Sequence, residues 1–399
     1  MRAKTLGSSR PNDNPHVAPS EAIVRENASE KRHTGHRSQP SVVLQIVPRL
    51  PPAVSGVGDY ALRLAREWRE RSDCESIFLV TDEEWDGGSC IDGFPVIQLT
   101  ERSADGLGRA LALSARMSVL LHYVGYGYER RGAPIWLANG IREWSRRYPT
   151  CRTGIFFHEL FAFGPPWTSA FWLNPVQRWV CRELARAAKF RFTNRAASAG
   201  TLDRMAQDKC RTQVWPVFSN LGEPGTTKLL SERLPQMVVY GAISRSKAQQ
   251  TLTLEQLRAS IQQLGLQKLI SFGPIPWPEH AVDVPVENRG VVSTDEASAL
   301  LGNSRLGYLD YFDGHLGKSG IFAAYCAHRM VPLLPRDIHS KLDALEPGQH
   351  YLTASSFLAI TNEALQGVAN AAHVWYEQHS IAKTARMIAS QFHAVVAPC

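Results

Sequence analysis

From Ser41 onward, short continuous apolar runs alternate with longer amphipathic stretches, and the alternation sets the expected fold. SVVLQIV at 41–47 is uninterrupted in the way of a strand buried on both faces of a parallel sheet. The ALRLAREWRER that follows places Ala61, Leu62, Leu64, Ala65 and Trp68 on one helical face. Further strands are predicted at 76–82, 94–99, 117–128, 153–160 and 189–194, with helices over 104–116, 133–148, 171–188 and 196–206. TQVWPVFSN at 212–220 reads as a last strand or an extended exit. Strand and helix in turn predict an α/β fold with a doubly wound parallel sheet.

LGEPGTTKLLSERLPQ at 221–236 breaks that rhythm with Gly, Pro, Thr and charge, as an interdomain linker does. The rhythm then restarts. Strands are expected at 236–244, 268–275, 289–294, 305–309 and 331–334. Helices are expected at 246–265, at 294–304 with Thr294 as N-cap, at 321–328, and as two closing segments over 362–396. The division predicted is a polar, aperiodic and disordered tail at 1–40, a first Rossmann-like domain at 41–220, the linker, and a second at 237–399.

Composition narrows the class. A 44% hydrophobic and 20% charged chain is an ordinary globular one. No run is long and apolar enough for a membrane-spanning helix, and the N-terminal stretch has no apolar signal core, so the expected location is cytoplasmic. Seven cysteines, an odd number with no CxxC pair, suit reduced thiols, with Cys399 expected to be exposed. The 13 histidines show neither HxH nor HExxH spacing, so no metal site is expected. The formal charge of +7 is uneven: residues 1–235 hold 32 Lys/Arg against 24 Asp/Glu, the rest 12 against 13. A basic first half suits an anionic membrane surface, with a peripheral place at the inner face, or a phosphate-bearing acceptor; it is more often the signature of arginine-rich solvated helix faces. No base-reading helix or aromatic RNA-binding motif is present, so nucleic acid is not an expected partner.

Candidate chemistry gathers where predicted strands end. Gly56 and Gly58 fall at the start of a helix, spaced differently from GxGxxG. His122, Tyr123 and Tyr126, among glycines beyond a strand, fit either an acceptor-binding loop or domain-edge packing. His158 and Glu159 end another strand. The run RLGYLDYFDGHLGKSGIFAAYCAHRMVPLL at 305–334 reads as strand, glycine-rich turn, helix and strand. Such a unit puts Lys318, Ser319 and Gly320 at a sheet's carboxyl edge, where loop amides and the helix dipole favour an anion. The same glycines also simply permit a tight turn with a solvated lysine.

Four of these places resemble the GT-B glycosyltransferases, most closely the retaining family-four enzymes, over about residues 41–390. PPAVSGVGDYALRLA matches that family's first glycine loop, with Gly56, Val57, Gly58 and Tyr60 in place. TGIFFHELF resembles its His-bearing strand end, with His158 at the histidine. VVYGAISRSKAQQ resembles the opening of its second domain, with Gly241, Arg245 and Lys247, and 296–334 resembles its donor loop and helix. The resemblance implies a cytoplasmic hexosyltransferase in polysaccharide or glycolipid synthesis. A nucleotide-sugar diphosphate would be clamped by Arg245 and Lys247, and the sugar transferred with retention to an acceptor, lipid-linked or anionic, with no cofactor and no obligatory metal.

One departure accompanies the match. The two glutamates that retaining members carry across the donor loop and helix fall, anchored on Pro332, on Gly317 and Tyr325. Tyr325 offers a neutral phenol there and Gly317 no side chain, while Lys318 adds positive charge. A more anionic donor, a shifted site using Asp310, Tyr311 or Asp313, and a domain without transfer activity all remain open. So do two other readings: a nucleotide-sugar epimerase acting through His122, His158 and Glu159, and a non-catalytic subunit of a polysaccharide assembly complex.

Overall fold

The computed structural model describes residues 41–72, 74–112, 117–240, 247–311, 313–335, 343–353 and 360–393. The expectations for the 1–40 tail, for Gly241 and Arg245, and for Cys399 lie outside them.

Two predominantly parallel sheets organise the chain. The first is built from β1 (Ser41–Val47), β2 (Cys74–Val80), β3 (Cys90–Ile91), β4 (Phe94–Gln98), β5 (Ser118–Tyr123), β6 (Thr153–Phe157), β7 (Phe190–Thr193) and β8 (Gln213–Val214), in the order β3-β4-β2-β1-β5-β6-β7-β8. Only the short β3–β4 pairing is antiparallel among these strands. Five of seven β1 residues are buried, which is why its sequence does not alternate: both faces are covered by helices. Those helices are α1 (Gly56–Arg71), α2 (Ala104–Ala112), the single-turn α3 (Gly125–Tyr128), α4 (Ile135–Arg147), α5 (Ser169–Ala187) and α6 (Ala196–Ala206).

The second sheet runs β11-β10-β9-β12-β13-β14, from β9 (Leu234–Tyr240), β10 (Lys268–Phe272), β11 (Val286–Asn288), β12 (Ser304–Tyr308), β13 (Val331–Leu334) and β14 (Leu352–Thr353). Its helices are α7 (Lys247–Gln263), α8 (Thr294–Asn303), α9 (Gly320–Ala327), α10 (Asn362–Glu377) and α11 (Ile381–His393). In each sheet the strand order reverses once, at β1/β5 and at β9/β12, and such switch points leave a crevice beyond the carboxyl ends of the strands.

Several local expectations are corrected: the strand expected over 117–128 ends at Tyr123, and Gly125–Tyr128 form the single turn α3 instead. The strand expected at 289–294 lies earlier, at Val286–Asn288, where it pairs with Leu269–Ser271 of β10. The N-cap of α8 is Ser293, whose hydroxyl accepts from the Glu296 amide at 3.2 Å, and Thr294 is the first helical residue. Only Gln213–Val214 of the 212–220 run pairs in the sheet. β9 begins at Leu234, within the stretch read as linker.

The two sheets are also sewn together. α10 packs on α9 and β13, but α11 returns to α1 of the first sheet. There the buried Trp68 indole donates to the Ala385 carbonyl at 2.7 Å and meets Phe392 edge to face. Trp215 Nε1 donates to Thr384 Oγ1 at 2.7 Å. Trp68→Ala empties a closed site and removes the indole's hydrogen bond to the Ala385 carbonyl, so it should cost about 3–5 kcal/mol, read as a lower midpoint in urea unfolding. Trp68→Phe, which keeps most of the volume, should cost markedly less.

Candidate functional site

Two adjoining cavities, of about 590 Å³ and 380 Å³, lie between the carboxyl edges of the two sheets and share Tyr126, His158, Glu159, Asn194 and Lys318 as walls. The larger is bounded by the loop after β1 (Arg49, Val54, Ser55), the start of α1 (Gly56, Val57) and, from the second sheet, Tyr311, Lys318 and Gly320. Two helices therefore begin at one cleft. Ser55 caps α1 by accepting from Gly58 N at 3.2 Å, and Ser319 caps α9 by accepting from Phe322 N at 3.2 Å. First-turn amides and the positive ends of the dipoles at Gly56–Val57 and Gly320 favour a negative ligand.

The glycines have separate reasons. A Cβ on Gly58 would stand 2.2 Å from the Arg49 carbonyl, so this glycine lets α1 start against the β1 loop; Gly56 has open space around it and lines the cleft. On Gly317 a Cβ would come within 2.7 Å of the Asn194 carbonyl on the opposite sheet. The same residue accepts a hydrogen bond from Val217 N at 2.9 Å. The turn Asp313–Lys318 is thus pressed against the first half, and a glutamate at 317 has no room unless the turn withdraws.

Across this contact, Lys318 Nζ donates to Glu159 Oε1 at 2.9 Å. Behind Glu159 runs a polar chain through the first sheet. Gln45 Nε2 donates to Ser76 Oγ at 2.8 Å, turning its Oε1 towards His122 Nε2, also at 2.8 Å; that nitrogen carries the proton. His122 Nδ1 is then the acceptor for His158 Nε2–H at 3.2 Å, leaving His158 Nδ1 with its lone pair. Burial holds His122 well below the ordinary histidine value. Burial and then the Lys318 charge push His158 down to about 3, so both rings are neutral. Tyr60 stacks on Phe218 and meets His158 edge to face, and its hydroxyl, like Asn194 Oδ1, is buried without a partner among the described residues.

Of the expected residues, Gly56, Tyr126, His158, Lys318 and Gly320 line the cleft. Others do not. Tyr325 is wholly buried in α9, donates to the Tyr308 carbonyl at 3.0 Å and packs on Gly307, so it holds β12 rather than a ligand. Tyr123 is likewise core, beside Cys181 and Phe157. His122 reaches the cleft only through His158. Ser319 is spent as a cap. Lys247 opens α7. Tyr311 also lines the cleft; the Asp313 side chain lies outside the described residues.

Four contributors were missed: Arg49, Gln45, Gln177 and Asn194. Gln45 was detectable, as a polar residue inside an apolar strand demands a partner. Gln177 sits in α5 fully buried, accepting from Ala162 N at 2.8 Å and donating to Arg131 O at 2.9 Å and Tyr126 Oη at 3.3 Å. No sequence pattern marks it.

No protein-family model and no curated protein sequence matches this chain. Solved structures do. A trehalose-6-phosphate synthase from Burkholderia multivorans aligns over 89% of this chain and 98% of its own at TM-score 0.56 and 12% identity. An assigned UDP-N-acetylglucosamine 2-epimerase from Listeria monocytogenes aligns over 87% and 94% at TM-score 0.54 and 13% identity. An α-glucosyltransferase in complex with UDP and DNA aligns over 88% and 99% at TM-score 0.53 and 12% identity. The fold is GT-B. In GT-B terms the cleft described above lies between the two Rossmann-like halves.

The histidines give a pH prediction. His158 and His379 near 3 and His328 near 4 stay neutral in the fold, whereas unfolded histidines take up protons below about 6.5. Their stabilising share is full above that value and is lost as pH falls towards 4. The thermal midpoint should drop over that window, and His158→Gln should flatten part of the drop.

Proposed function

We infer that this protein is a nucleotide-sugar-dependent glycosyltransferase. The observation that carries the reading is one cleft into which two helix N-termini, at Gly56 and Gly320, and the Lys318 ammonium converge from opposite halves of a GT-B fold. That convergence suits the diphosphate of a sugar donor, which brings its own negative charge to a site with dipoles already oriented. In this reading the donor diphosphate takes Lys318 from Glu159, Arg245 and Lys247 join from the second half, and Asn194 Oδ1 and the Tyr60 hydroxyl gain partners on the bound molecule.

The sugar's anomeric carbon exchanges its bond to the β-phosphate oxygen for one to an acceptor oxygen. The acceptor attacks on the face the diphosphate leaves, its proton departing with the nucleoside diphosphate, so the outcome is retention without a protein nucleophile, cofactor or metal. Neutral His158, fixed by His122 and Gln45, serves as a hydrogen-bond partner to the sugar and not as a titrating acid. Tyr126 and the wall fixed by Gln177 form the acceptor side. A hexosyl donor and an acceptor belonging to polysaccharide or glycolipid assembly complete the proposal. Glu159 and Lys318, beside His158 in the same cleft, also suit a nucleotide-sugar epimerase, and product analysis separates the two.

Calorimetric titration with a panel of nucleoside diphosphates and their sugars tests the reading. Lys318→Ala should weaken the best binder by about 1–3 kcal/mol, and Glu159→Gln should tighten a plain nucleoside diphosphate by freeing Lys318. No binding at millimolar concentration to any member would leave a non-catalytic subunit as the better reading.

A further inference from the structure

Outside the cleft, the most unusual surface is the segment entering α5. Phe163, Trp167, Phe171 and Trp172 are 77%, 84%, 44% and 71% exposed within ten residues of chain. Exposed aromatics at that density mark an interaction site. The segment is built, not loose: Ala162 N donates to Gln177, Asn174 Nδ2 donates to the Ala162 carbonyl at 2.7 Å, and Thr168 Oγ1 donates to Pro165 O at 2.7 Å.

Along α5 the same face continues as arginine. At about 100° per residue, Phe171, Trp172, Pro175, Arg178, Arg182 and Arg186 fall within roughly a third of the circumference, while Gln177, Val180, Cys181 and Leu184 are buried on the other side. Arg204 of α6 lies across the groove from them. No acidic residue occurs between Glu159 and Glu183. Of the four arginines, only Arg182 meets a carboxylate among the described residues, Glu183 at 3.7 Å.

We propose that this face docks on an anionic lipid bilayer, the aromatics entering the interface and the arginines meeting lipid phosphates. Charge complementarity, and the placing of the four exposed aromatics at one end of the face ahead of its arginines, favour a bilayer: a stacking platform for nucleic acid would interleave exposed rings with the arginines. The face is continuous with the cleft. Phe161 and Phe163 line the smaller cavity, their rings 5.2 Å apart, and Arg178 lies 4.9 Å over Phe161. Among the described residues no helix is long and apolar enough to cross a membrane, so the contact is peripheral. The corollary that the acceptor is anchored in the lipid rests on the transferase reading; the docking itself does not.

The test is vesicle flotation of the full chain without any nucleotide, so that it reads the surface independently of donor binding. The protein should float with phosphatidylcholine vesicles containing phosphatidylglycerol and remain behind with phosphatidylcholine alone. R178Q/R182Q/R186Q should weaken binding roughly 100-fold, at about fivefold per arginine. W167S/W172S should weaken it with the salt dependence kept, and both variants should keep the parent unfolding midpoint because the changed side chains are exposed. No flotation with anionic vesicles, unaltered binding by both variants, displacement by millimolar inorganic phosphate at constant ionic strength, or tighter binding to short DNA than to vesicles would each overturn the proposal.

Discussion

The close approach of one turn to the edge of the opposite sheet governs this molecule's geometry. Gly317 lies so near the Asn194 carbonyl that no side chain fits between them, and beside it Lys318 reaches Glu159 while Asp343 Oδ1 accepts from Ala196 N at 2.7 Å. These contacts make a shared wall out of loops that would otherwise be separate. The larger cavity has its shape because the two halves touch here and part on either side. The missing side chain at position 317 is therefore a steric necessity of this arrangement, and the positive charge one residue later occupies the space that contact leaves.

The electrostatic character of the cleft follows from how parallel sheets are wound. Strands ending on one side deliver helices starting on that side, so every βα junction at the switch points contributes oriented amides. Against this background the polar chain from Ser76 through Gln45 and His122 to His158 is a fixed scaffold: each member is satisfied by the next, and burial keeps the imidazoles uncharged. A buried network of this kind tolerates no half measures, since losing Gln45 would leave both histidines free to change tautomer.

Much of the fold was legible because buried parallel strands are continuous apolar runs and their helices are amphipathic. β1, α1, α6 and β13 fall where periodicity put them. The 289–294 strand failed because VVS looks like a strand whether or not a neighbour exists to pair with it, and β10 pairs with Val286–Asn288 instead. The cleft was legible where glycine and charge follow a strand, as at Gly56, His158 and Lys318. It was not legible at Tyr325 or Tyr123, whose hydroxyls find a carbonyl and a thiol inside the core. Nor was it at Gln177 and Asn194, which acquire meaning only when distant loops converge on them. Sequence spacing encodes neighbours along an element, not across a cleft.

The return of α11 to α1 has a mechanical consequence. The backbone passes between the halves twice, once after β8 and again between α10 and α11, and the second passage is clamped where Trp68 holds Ala385. Two bodies joined by a pair of side-by-side tethers keep one easy degree of freedom, rotation about the line through both, and resist sliding and twisting. Any opening of the molecule is thereby constrained to a swing, and the jaw that swings carries Lys318 and Gly320 at its tip.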